Sequence, residues 1–292
     1  MHNNTRTYNI LGSDWIYYKL YMGTKSSDDI LVEKIKPLAE QLLAKNIINQ
    51  WFFIRYNDPK CHLRIRFKCV HTSLINEIIA EMHNVLLPLT EESIIWKIQI
   101  DTYNREIERY GSKTIEIAEK LFFYDSIMVV DYLKNFNDEN LRWLFGLKAI
   151  DDLLDLFQYK LSDKKNFLET LSNAFKAEFA KSKITNNGLS DKFRVYKQTI
   201  SDTIDSKNPN NIYDIIEERN NSIKNLKDEI LALLRTESLE VNLNSFLASH
   251  IHMMINRLFK SKNRAHEMVC YDFLFRYYKS KQAITNNVKI IS

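Results

Sequence analysis

Three short stretches combine residue types whose value is chemical. His62-x-Arg64-x-Arg66 alternates basic side chains with Leu63, Ile65 and Phe67. On a strand this period of two sends His62, Arg64, Arg66 and Lys68 to one face and Leu63, Ile65, Phe67 and Cys69 to the other. Guanidinium groups grip carboxylates through paired donors, so a row of them suits an acidic ligand. The same row also fits a hydrated sheet face, which open antiparallel sheets commonly have. The second stretch is Glu106-x-x-Arg109, inside REIERYG. On a helical turn the two side chains share a face, and the plain alternative is a surface ion pair worth about 0–1 kcal/mol. The third is SHIHMMINRLF, where His252, Asn256 and Arg257 stand among Ile251, Met253, Met254, Ile255 and Leu258. His252 and Asn256 are i and i+4 on one helix face. Imidazole titrates near neutrality and can carry a proton; a histidine satisfied in a core would have the same neighbours.

These groups need a frame. Trp15–Met22 (WIYYKLYM) and Gln50–Tyr56 (QWFFIRY) are aromatic-rich and suit strands. Gly23 ends the first, and Ser26 or Ser27 opens a helix through Lys45 with Pro37 as a kink. Asn57-Asp58-Pro59 marks a turn before the strand His62–Lys68. Ser73–Leu87 reads as a helix stopped near Pro88, and Ile94–Tyr103 as a fourth strand that sets Lys97, Gln99, Asp101 and Tyr103 opposite Trp96, Ile98 and Ile100. The order β-α-β-β-α-β is that of a ferredoxin-like split unit. Arg55 and Lys19 are expected to join the cationic face. From Gly111 onward the pattern is helical: Ser112–Phe123, Asp138–Tyr159, Lys164–Phe179, Tyr213–Leu234, Asn244–Phe259 and Arg264–Lys279, with loops at Lys181–Ser190 and Ser206–Asn211. The fold class is therefore α+β. Residues 1–292 read as one domain, with an α/β part (1–110) and a helical part (111–292) packed on the uncovered sheet face.

Composition narrows the function. With 5 Gly and 4 Pro in 292 residues, the chain is neither collagen-like nor a turn-rich all-β protein. A hydrophobic fraction of 45% against 27% charged residues excludes disorder. The net charge of +4 is spread as +1 over residues 1–110 and +3 over 111–292, without the basic stripe that nucleic-acid binding needs. Three cysteines, Cys61, Cys69 and Cys270, with no CxxC pair, leave neither a disulfide framework nor a zinc cage and point to the reducing cytoplasm. The first 14 residues lack a signal peptide's apolar segment, and no stretch reaches the length of a membrane span. Walker A, GxGxxG, HExxH and GxSxG sequences are all missing. His250 and His252 lie two apart on a helix and would not converge on one metal.

Together, WIYYKLYMG, WFFIRYNDPKCHLRIRF, REIERYG and HMMINRLF resemble, in the same order from Trp15 to Lys279, the C-terminal glutamate-elimination domain of lantibiotic dehydratases, also called the thiopeptide-type bacteriocin biosynthesis domain. The resemblance implies a two-step dehydration. A separate glutamylating subunit, the user of glutamyl-tRNA, esterifies Ser or Thr of a precursor peptide with glutamate. The elimination domain then expels glutamate and leaves dehydroalanine or dehydrobutyrine. It further implies catalytic roles for Arg64, Arg66, Glu106, Arg109 and His252; Arg55, His62, Asn256 and Arg257, which accompany them in these stretches, are expected to bind substrate, and the elimination needs no metal or redox cofactor. The much larger glutamylation domain has no counterpart in this sequence, so the chain reads as the stand-alone half of a split system. A cyclase is a further candidate partner. Two other readings stay open: a thiopeptide pyridine synthase that joins two dehydroalanines, and a non-catalytic peptide-binding partner of a dehydratase.

Overall fold

The computed structural model describes residues 5–136, 138–179, 186–205 and 213–291. The contacts divide the chain into two units, Met1–Asn137 with Asp228–Ser261, and Asp138–Lys227 with Lys262–Ser292.

The first unit is built on strands β1 (Tyr8–Asn9), β2 (Trp15–Met22), β3 (Ile48–Tyr56), β4 (His62–Cys69), β5 (Ile95–Ile100) and β6 (Tyr103–Asn104). β2 to β5 form one antiparallel sheet in the order β3-β4-β2-β5. Each helical crossover skips one strand and the two interleave, which is the expected ferredoxin-like topology. The first crossover is helix α1 (Ser27–Ile30), a π turn (Leu31–Ile35) and α2 (Lys36–Ala44). Pro37 has no N–H to continue an α ladder. The chain widens just before it, where Lys36 N–H donates to the Leu31 carbonyl, five residues back. The second crossover is a 3-10 turn (Thr72–Leu74) and α3 (Ile75–Glu91). α3 runs through Pro88 rather than stopping there. Pro88 is exposed while Leu86 and Leu89 are buried on the core side, so the carbonyl it leaves unbonded lies on the wet face.

The expected fourth strand splits. Asp101 takes Lys19 as an ion-pair partner and accepts the Thr102 N–H (2.7 Å), a local bond that ends the ladder. Tyr103 then pairs with β1 in a separate two-stranded ribbon. After α4 (Ile107–Tyr110) comes α5 (Ile115–Asn135), which runs twelve residues beyond the expected Phe123 end. Asp125 and Ser126 interrupt its apolar period, yet both are buried: Asp125 lies beside His250, and Ser126 Oγ donates to the Phe122 carbonyl (2.7 Å) and accepts the Phe53 N–H (3.3 Å).

The second unit is helical: α6 (Glu139–Leu156), α7 (Leu161–Glu178), α8 (Asn186–Asp205), α9 (Asp214–Ser222), the first residues of α10 (Lys224–Arg235) and α12 (Asn263–Ile291). Asp138 caps α6 by accepting the Asn140 N–H (2.7 Å). The single helix expected over Tyr213–Leu234 is two, broken after Asn220-Asn221-Ser222, a run of poor helix formers. α8 is an addition: part of it falls in the loop expected at Lys181–Ser190, whose first residues, like Ser206–Asn211, lie outside the described residues. Later segments, including α11 (Leu243–Leu258), return to the first unit. No described helix is long and apolar enough to cross a membrane.

Candidate active site

Register fixes which side chains share a sheet face. β4 pairs Arg66 with Tyr17 and Phe52, and Arg64 with Lys19 and Ile54. These residues stand together, and the face is not hydrated as a whole. Arg66 is only 7% exposed. Its guanidinium lies 4.3 Å from the Tyr17 ring centre, 4.5 Å from Tyr103 and 5.1 Å from Phe52, an aromatic cage that favours a cation in low dielectric. Its Nε has no acceptor among the described residues. Burial lowers its pKa, while the Tyr103 and Tyr17 phenols and Glu106 oppose that. Phe52 also packs on Phe122 of α5 (5.4 Å), so the helical part does cover this face, through α5.

The cage is anchored from below. Tyr103 donates its hydroxyl to Glu119 Oε1 (2.9 Å), and Arg105 closes on the same fully buried carboxylate through Nε (2.8 Å) and Nη2 (2.7 Å). Arg105 begins REIERYG and Tyr110 ends α4, donating to the Ser249 carbonyl of α11 (3.2 Å). Glu106 and Arg109 are held between these two anchors. They form the expected i, i+3 pair at 3.6 Å, with side chains 51% and 53% exposed. Glu106 also borders a cavity of about 40 Å³ whose wall includes Arg66, Tyr103, Tyr110 and Met253, room for a carboxylate-sized group. His252, half-buried on α11, is the chain neighbour of Met253 on that wall.

Arg64 and His62 form a second group on the same face. Arg64 Nε donates to His62 Nε2 (3.1 Å), and its guanidinium lies 3.4 Å over the Tyr56 ring centre. His62 is buried, with Nδ1 2.8 Å from the Lys60 carbonyl and its ring stacked on Tyr21 at 4.6 Å.

Three expectations drawn from the sequence change, each for a geometric reason. Arg55 does not join the cationic face. It pairs with Leu63, on the other side of the sheet, where it donates to Ser27 Oγ (2.7 Å), Asp28 Oδ1 (2.6 Å) and the Arg257 carbonyl (2.8 Å). Asn256 binds backbone: its Oδ1 accepts the Arg55 N–H (2.8 Å) and its Nδ2 donates to the Arg55 carbonyl (2.9 Å). β3 is an edge strand, and this amide covers its free edge as a neighbouring strand would. Arg257 is fully buried, 4.8 Å over Phe122 and 5.9 Å over Phe52, which separate it from the cavity. Burial lowers its pKa to about 10 against the opposing charge of Asp125, so it remains a cation at neutral pH. Asp125 is itself 3.0 Å from the buried His250. Sequence reading gave no role to Asp125, His250, Glu119 or Tyr17, and placed Tyr103 on the polar side of the fourth strand without its part in the cage. A lone acid in the run FFYDSIMVV was the available signal for Asp125.

Among the described residues, the acidic group with metal-ligand spacing is Asp151, Asp152 and Asp155 in the second unit. Lys164 pairs with Asp151 and Asp155 (2.7 Å to the latter), and Lys148 with Asp152 (2.7 Å). Two lysines thus supply the charge a metal would bring.

The chain is similar to several known proteins. The nisin biosynthesis protein NisB of Lactococcus lactis subsp. lactis is 27% identical over 267 residues, 89% of this chain and 25% of NisB. The chain spans a quarter or less of the length of the curated relatives it matches. The crystal structure of the tRNA-dependent lantibiotic dehydratase MibB from Microbispora sp. 107891 superposes with a TM-score of 0.71 at 19% identity, over 91% of this chain and 28% of MibB. The pyridine synthase TbtD from thiomuracin biosynthesis superposes at 0.64 and 12% identity, over 90% of this chain and 97% of TbtD. Both likenesses are of fold. A family model described as lantibiotic biosynthesis dehydratase C-term matches residues 15–278, and the chain belongs to that family.

Proposed function

We propose that this chain removes glutamate by β-elimination from glutamylated Ser or Thr residues of a ribosomally made precursor peptide, leaving dehydroalanine or dehydrobutyrine. The observation that carries the reading is Arg66, caged and buried, on the wall of a cavity that Glu106 also borders. A base takes the Cα proton, the released electron pair forms the Cα=Cβ bond, and the Cβ–O bond breaks so that glutamate leaves as a carboxylate. Negative charge builds on the neighbouring carbonyl oxygen, where a fixed donor can contribute about 3–4 kcal/mol. The leaving group carries a second carboxylate, which suits paired guanidinium donors. On this reading Arg66 and Arg109 hold the glutamyl group with Arg64 alongside. Glu106, ion-paired to Arg109, orients that guanidinium, and His252 carries the proton. Residues 1–292 serve as one elimination domain in the cytoplasm, supplied by a separate glutamylating subunit and followed by a cyclase.

The test is mass spectrometry of precursor peptide, glutamylating partner and glutamyl-tRNA with and without this chain. Glutamyl adducts that accumulate without it and lose glutamate with it support the proposal; adducts that persist refute it. The second reading, a pyridine synthase, draws on the fold that the chain shares with TbtD. It requires that a peptide bearing two dehydroalanines cyclise with this chain.

A further inference from the structure

His62 faces no open space, yet its bonds are not those of a passive core residue. Arginine cannot accept a hydrogen bond, so in the 3.1 Å contact Arg64 Nε must donate and His62 Nε2 must accept. The Lys60 carbonyl can only accept, so Nδ1 carries the proton in the 2.8 Å contact. One tautomer of the neutral ring satisfies both. Stacking on Tyr21 and a tilted contact with Tyr56 (5.5 Å) hold the ring plane. Arg64 is consequently fixed at Nε and along one face against Tyr56, while its two terminal nitrogens have no partner among the described residues. That is the open fork a carboxylate takes bidentately.

We propose that His62 is a positioning residue: as a neutral imidazole it receives the Nε–H of Arg64 and presents the free end of that guanidinium to the glutamyl carboxylate. The last clause rests on the elimination reading. The surroundings keep the ring neutral. Arg64 and Lys19 oppose a second positive charge, with Lys97 beyond Tyr21; Asp58 in the turn is the opposing acid. Burial, the largest influence, also lowers the His62 pKa, against the Lys60 hydrogen bond. Protonation would remove the acceptor that Arg64 Nε has among the described residues, so the arrangement is complete above about pH 6.5 and is lost as pH falls.

The test compares wild type, His62→Gln and His62→Leu by kinetics of glutamate release from a glutamylated peptide between pH 5 and 8, with thermal melting to verify folding. Leu offers no acceptor, and kcat/KM is expected to fall about tenfold to a hundredfold, mostly through KM, because Arg64 grips a non-reacting group. Gln offers an amide oxygen that takes no proton; it is expected to keep wild-type kcat/KM at pH 7.5 and to make the acid limb of the profile shallower, leaving only the part that belongs to the proton-carrying group. A Leu variant as active as wild type, or a Gln variant as poor as Leu, overturns the proposal. Nitrogen NMR of the histidines reads the contact without turnover. If wild type releases no glutamate, the elimination reading fails, and a neutral Nδ1–H ring at His62 whose Nε2 signal moves in Arg64→Gln still upholds the positioning contact. An Nε2–H tautomer or an imidazolium at pH 7 overturns it.

Discussion

Replacing Glu119 by leucine removes the acceptor that Arg105 and Tyr103 share. The carboxylate is fully buried and receives three bonds, two from Arg105 at 2.8 and 2.7 Å and one from Tyr103 at 2.9 Å. Removing one partner of a buried ion pair costs about 3–5 kcal/mol, because the other charge stays behind in low dielectric. Arg105 keeps two weaker contacts, the Arg6 carbonyl at 3.3 Å and the exposed Glu116 at 3.9 Å, which places the expected loss near the lower end, about 3 kcal/mol. The double variant Arg105→Met/Glu119→Leu removes both charges and should recover most of that loss, since a packed apolar pair is often neutral or better. Urea unfolding measures it, as a fall in midpoint at constant slope. Trp15, Trp51 and Trp96 belong to the first unit and Trp143 to the second, so a Trp143→Phe background makes tryptophan fluorescence report the first unit alone. A loss below about 1 kcal/mol, the range of a surface pair, would refute the argument; so would a double variant no more stable than the single one. Glu119→Gln keeps shape and an acceptor but loosens Tyr103, whose ring lies 4.5 Å from Arg66, and should lower turnover more than stability.

Asn256→Ala strips the Arg55 N–H and carbonyl of their partners on the edge of β3 and should cost about 2 kcal/mol or more, read as faster hydrogen exchange at the Arg55 amide. Arg66→Lys keeps the charge but loses the flat guanidinium that stacks between Tyr17 and Tyr103; glutamate release should fall about a hundredfold with the melting temperature little changed. In the second unit, burial pushes Asp151 up to about 6, against the opposing charge of Lys164. A carboxyl raised in the fold binds its proton more tightly there than in the unfolded chain. Its stabilising contribution is therefore complete below about pH 3.9 and is lost as pH rises through about 6. Asp151→Asn should flatten the melting temperature of that unit across this window.

Much of the scaffold was legible because its signals are local and redundant. The alternation in HLRIRFK, the aromatic runs of β2 and β3 and the turn before β4 each mark a strand, and the crossover lengths leave few ways to arrange four of them. What could not be read depends on partners distant in sequence. Asp125 and Ser126 look like the end of a helix until His250 and the edge of β3 are beside them. The pair Glu106 and Arg109 is legible as a pair, but its place near Arg66 comes from Arg105 on Glu119 and Tyr110 on Ser249, contacts that spacing does not encode.

The side assigned to Arg55 shows how a single residue decides such a question. QWFFIRY is apolar on both faces, so its own pattern does not say which side chains point where. Pairing with β4 says it, and that pairing shifts by one between Ile48 and Gln50. Were the ladder to continue from Ile48 opposite Cys69 without the shift, Arg55 would sit opposite His62 and join the cationic face, as the sequence leads one to expect. The extra residue, Asn49, reverses the parity of everything after it. Phe52 then meets Arg66 and completes its cage, while Arg55 turns to Asp28 and Ser27. One bulge thus separates two buried arginines of similar appearance, giving one to the framework and the other to the cavity wall.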